Sequence, residues 1–70
     1  MNKNRLEFEM KERGISVGRL CAEIGISRSA YYRKCNGKSE FTLAEIKAII
    51  KLLNLEEKIA ADIFFSEKVS

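Results

Sequence analysis

Apolar residues recur at helical spacing along nearly the whole chain, interrupted by capping residues and glycines. Leu6 and Met10 share a face at i, i+4 spacing, which predicts a first helix from about Asn4 to Arg13, with Gly14 as its stop. Phe8 lies off that stripe; it either wraps the edge of the core or marks a contact surface. Leu20, Cys21 and Ile24 form the stripe of a second helix. It opens at Ser16, whose hydroxyl can accept a hydrogen bond from a free backbone N–H, and it ends at Gly25. Ile26 is a lone apolar residue in the turn that follows, expected to plug the core between two helices.

A third helix, capped by Ser27, runs to about Cys35. Ala30, Tyr31 and Lys34 lie towards the body, with the Lys34 stem along apolar surface and its charge in water. Arg28, Ser29, Tyr32 and Arg33 lie on or beside the opposite face. Asn36-Gly37 is a terminator and turn signal. Thr42-Leu43-Ala44-Glu45 then fits the capping box, in which Thr and Glu satisfy each other's backbone N–H groups. Leu43, Ile46, Ile49, Ile50 and Leu53 follow as a wide stripe. A fifth helix is expected to start near Asn54, with Glu56 and Glu57 in its first turn, where the helix dipole favours acids. Ile59, Ala60, Ile63 and Phe64 give its apolar face. Phe65 is left over beside it; this face suits a homodimer interface through Ile63, Phe64 and Phe65, or edge-of-core packing. Residues Glu67 to Ser70 are expected to fray.

These elements predict an all-α fold, a compact bundle of about five helices. At 70 residues the chain is read as one domain, 1–70. Proline is absent, which agrees with a helical chain. No apolar run reaches the roughly 18 residues of a membrane span. The N-terminus has no apolar stretch of the kind a secretion signal needs, so a cytoplasmic location is expected. Cys21 and Cys35 are expected as reduced, mostly buried thiols. With no histidine, two thiols do not make a zinc site, and no metal or cofactor is expected.

The segment Ser16–Gly37 (SVGRLCAEIGISRSAYYRKCNG) carries the chemistry. Two short helices crossing steeply leave little room at their contact, so a small residue is wanted inside the first; Cys21 and Ala22 both qualify. Gly25 permits the chain reversal, while Ile26 and Tyr31 fill the space between. Ser27, Arg28, Ser29, Tyr32 and Arg33 are then free to face outward. Charge follows the same segment. From Arg13 to Ser39 there are six cationic residues (Arg13, Arg19, Arg28, Arg33, Lys34, Lys38) against Glu23 alone, whereas Phe41–Ser70 is close to neutral. Such clustering is the footprint of a polyanion partner.

At this point the chain resembles the lambda-repressor-like helix-turn-helix proteins of the Cro/C1, or xenobiotic-response-element, type. The likeness is carried by GIS (14–16), LCAEIGISRSAYYRKCNGK (20–38) and FTLAEIKAIIKLLNL (41–55). It implies a five-helix DNA-binding fold with its helix-turn-helix at about residues 16–36. It also implies a repressor of phage or bacterial origin, often dimeric on a near-palindromic double-stranded operator. Carried over by position, Arg28, Ser29, Tyr32 and Arg33 take the base-reading places. Ser16, Val17, Arg19, Ser27, Lys34, Asn36, Lys38 and Ser39 take places along the sugar-phosphate backbone. Val17 stands where the family commonly has a glutamine that helps clamp a phosphate, and Lys34-Cys35 replace a large residue followed by glutamate. An alternative reading is a protein-binding module of the antirepressor type, docking on a partner repressor; Val17, Phe8 and Phe65 permit it. The chain shows no phosphate-cradling glycine loop and no catalytic cluster, so an enzyme is not expected.

Overall fold

Helix ends organise this chain, because each free first turn must find acceptors for its N–H groups. The computed structural model describes residues 1–65, and five helices follow in order there: α1 (Lys3–Glu12), α2 (Val17–Ile24), α3 (Arg28–Cys35), α4 (Leu43–Leu53) and α5 (Glu57–Phe64). The fold is all-α. The expected fraying at Glu67–Ser70 lies outside the described residues. The Ser16 hydroxyl accepts from Arg19 N at 3.1 Å and that of Ser27 from Ala30 N at 3.0 Å. The Thr42–Glu45 capping box is complete, with reciprocal bonds of 3.1 and 3.0 Å.

Two boundaries differ from the expected ones. α1 begins earlier, because Asn2 Oδ1 accepts from Arg5 N at 3.1 Å and so caps it. α5 begins later. Asn54 does not open it but closes α4 in the left-handed region, with φ 53°. Asparagine tolerates that conformation better than other side chains do, and its N–H returns to the carbonyls of Ile50 and Lys51. α5 starts at Glu57 after Glu56, which gives no side-chain cap.

The core lies where α2 packs against α4, α1 against α5, and α3 against α2. Leu6, Leu20, Tyr31, Ile49, Leu53 and Ile63 are fully buried there. Cys21 is the small residue at the α2 crossing; Ala22 is exposed. Leu43 also departs from expectation. It is 62% exposed, since the capping turn of α4 projects past the body before the stripe reaches the core. Ile63 is a further correction. With no exposed surface it belongs to the core and cannot join two subunits; only Phe64, half-buried, and Phe65, exposed, remain on that side. Phe41 connects the bundle beyond the stripes, its ring 6.3 Å from Tyr31 and 5.9 Å from Phe64, both edge-on.

Among the described residues, charge enters the interior at one place. Glu9, 4% exposed, is flanked one turn away on each side by Arg5 and Arg13. Arg5 Nε donates to it at 2.8 Å and Arg13 Nη1 also donates to it, while Arg13 Nε donates to the Leu53 carbonyl. Arg13 therefore ties α1 to the last turn of α4, and its charge is not part of an outward basic surface. The Arg13 hydrogen bond, against the opposing effect of burial and with help from Arg5, holds the Glu9 carboxyl below its ordinary value of 4.5. A depressed carboxylate contributes stability that is present above its unfolded value and lost as pH falls through the folded one. Glu9→Gln is accordingly expected to lower the unfolding free energy by about 2 kcal/mol at neutral pH. The deficit should narrow as pH drops below 4.5. Urea unfolding of both proteins across pH measures this; an equal gap at every pH rejects it.

Candidate nucleic-acid interface

The α2-turn-α3 unit takes its shape from a left-handed Gly25, with φ 79°, whose N–H returns to the Cys21 carbonyl at 2.8 Å. Ile26 follows with its N–H on the same carbonyl at 3.1 Å and its side chain against the core. This turn starts α3 at Ser27 and leaves the helix only two buried positions, Tyr31 and Cys35. Tyr31 has no exposed surface and its hydroxyl lies 3.6 Å from Met10 Sδ. Burial raises the Tyr31 phenol and the Cys21 and Cys35 thiols above their ordinary values, so all three stay protonated at neutral pH. Both cysteines are free and buried.

With Tyr31 inside, the other side of α3 is open. Arg28, Ser29 and Arg33 are exposed, and Tyr32 is 44% exposed with its ring edge-on to Tyr31 at 5.2 Å. Ser27, whose oxygen is the helix cap, keeps its own proton for donation. Ser16 does the same at α2, where Arg19 is exposed and Val17 is half-buried against the core. Val17 thus offers only its backbone N–H. Asn36, Lys38 and Ser39 are exposed in the loop after α3. Gly37 turns that loop with φ 84°, and Lys38 N donates back to the Arg33 carbonyl at 2.9 Å. The unit therefore brings together the N-termini of α2 and α3, the outer face of α3 and the loop.

Lys34 is set apart from these groups. Its ammonium donates to Glu45 Oε1 at 3.0 Å and to the Glu40 carbonyl at 3.2 Å, and its side chain is 14% exposed. It clasps α3 to the start of α4. No local pattern announces this pairing, because Glu45 is eleven residues away and already engaged in its own cap. Arg19, Arg28, Arg33 and Lys38 form no ion pair among the described residues. Arg5, Arg13 and Lys34 are engaged by carboxylates, whereas these four, on the α2-turn-α3 unit and the loop after it, are open to an external anion.

The helix-turn-helix family model matches residues 6–58, a span that holds α2, the turn, α3 and α4 complete. No curated protein and no solved structure matches the chain. No described helix is long and apolar enough to cross a membrane.

Two lysines four residues apart should behave differently. Lys34→Ala is expected to reduce stability by about 1 kcal/mol, since it strands a partly enclosed carboxylate, whereas Lys38→Ala should leave it unchanged within about 0.5 kcal/mol. Chemical denaturation of the two variants is the measurement. Equal stabilities would mean that the Lys34–Glu45 contact does not hold α3 to α4.

Proposed function

The chain belongs to the helix-turn-helix family of Cro/C1 type, a family of DNA-binding regulators, and on that premise we propose that it is a sequence-specific repressor of double-stranded DNA operators. The observation that carries the reading is that Arg19, Arg28, Arg33 and Lys38, exposed and without ion-pair partners among the described residues, lie on the α2-turn-α3 unit and the loop after it, which also presents two serine-capped helix N-termini. A duplex supplies the phosphates that such a surface lacks.

In the proposed complex the N-terminus of α3 enters the major groove and α2 lies across the backbone. Arg28 and Arg33 read guanine O6 and N7, each good bidentate pair discriminating by about 1–3 kcal/mol. Ser29 is short enough for close approach, and Tyr32 meets a thymine methyl or a phosphate. Ser16, Ser27, Asn36 and Ser39 donate to backbone oxygens, with the Val17 N–H at the first turn of α2. Arg19 and Lys38 add affinity that is independent of sequence, through counterion release. Lys34 stays with Glu45 and contributes by fixing the helix that reads.

The proposed working form is a homodimer on two half-sites about 34 Å apart, one helical turn. A protomer measuring 31 × 25 × 20 Å fits one half-site beside its copy. Phe65, 61% exposed, and the half-buried Phe64 border an open groove with Phe41, and this apolar edge is the proposed contact. The setting is the cytoplasm of a bacterium, with the protein encoded by the host or a phage.

Selection from a random duplex pool tests the reading. Arg33→Ala is expected to weaken binding to the selected duplex by about 1–3 kcal/mol and to blur one base position. Lys38→Ala should weaken all duplexes alike and lower the salt slope by about one. If wild type and Arg33→Ala bind selected and random duplexes equally, base reading by α3 is rejected. Partner binding that barely responds to salt, with no duplex selected, would point instead to docking on another repressor.

A further inference from the structure

Gly18 is the second residue of α2, a place where the backbone does not demand glycine. Its φ is not positive, unlike that of Gly14, Gly25 and Gly37. What the missing side chain provides is room. A Cβ built on Gly18 would stand 2.6 Å from Arg28 Nη2, 3.4 Å from Cζ and 3.5 Å from Nε. The guanidinium of Arg28, sent out from the first residue of α3, thus occupies the volume that an ordinary α2 side chain would fill. No carboxylate draws it there among the described residues. Its location over the first turn of α2 is also the positive end of that helix, which does not attract a cation. Shape rather than charge seats the group, and its N–H donors stay available for a partner.

We infer that Gly18 is a positioning residue for DNA reading: by omitting a side chain it seats the Arg28 guanidinium between the N-termini of α2 and α3 before a duplex arrives. The inference rests on the DNA-reading function proposed above. Arginine is rich in rotamers, and ordering such a side chain on binding weakens an interface by about two- to tenfold; a seat formed in advance avoids that loss. Gly18 touches no base in this scheme and acts only through Arg28.

Gly18→Ala separates space from fold. The contact it creates is with the far end of a flexible side chain, so the guanidinium gives way while the backbone stays, and alanine suits a helix better than glycine. The full chain is used, with a duplex selected by wild-type protein and a random-sequence duplex as probes. Gly18→Ala is expected to melt no lower than wild type and to bind the selected duplex about two- to tenfold more weakly. Its affinity for the random duplex should not change. The double variant Gly18→Ala/Arg28→Ala should bind like Arg28→Ala alone. If Gly18→Ala binds the selected duplex as wild type does while Arg28→Ala is impaired, the positioning role is overturned and the reading role of Arg28 stands. The positioning role also falls if Gly18→Ala weakens binding equally in the Arg28→Ala background, or if it lowers the melting temperature. If Arg28→Ala itself binds like wild type, the reading role of Arg28 fails first and takes the inference with it.

Discussion

The enclosure of Tyr31 is the constraint on which the open face of α3 depends. α3 has eight residues, and only Tyr31 and Cys35 are buried. Truncating a buried aromatic costs about 3–5 kcal/mol, while a domain of this size has about 4–10 kcal/mol of stability in all. The Tyr31 ring is the largest buried anchor of the short helix, set against Met10 of α1 and Phe41 of the following loop. Because Tyr31 points inward, its neighbours on the opposite side have nowhere to go but solvent. The outward set of Arg28, Ser29, Tyr32 and Arg33 is a consequence of that single burial.

The electrostatics follow the same division between holding and presenting. Carboxylates take the cations that brace the fold. Glu9 collects Arg5 and Arg13 on α1, and Arg13 carries the linkage on to the end of α4. Glu45, held below its ordinary value chiefly by the Thr42 backbone N–H, collects Lys34 and joins α3 to α4. Each of these contacts removes a positive charge from the pool that overall composition suggests. Of the cations that remain, Arg19 and Arg28 lie in the first turns of α2 and α3. There the partial positive charge of the peptide dipoles adds to that of the side chains. A net charge of +3 understates this local field and says nothing of its location.

Much of this was legible in the chain because it is governed by residues close in sequence. Ser16, Ser27 and the Thr42–Glu45 box act over three residues, Gly25 acts on its own φ, and the adjacency of Tyr31 and Tyr32 forces one inward and one outward. Local rules sufficed for the helix-turn-helix and for its exposed face. Only tertiary structure decided the rest, since the partners are distant along the chain. The Arg13 bond to the Leu53 carbonyl spans forty residues, and the Lys34–Glu45 pair spans eleven. Leu43 obeys the helical period yet lies outside because the body ends before it, and Ile63 sits wholly inside because α1 and its preceding Asn2 close over α5. Periodicity names the face of a helix but not what covers it; burial and charge neutralisation are properties of packed pairs, and pairs exist only once the chain has folded.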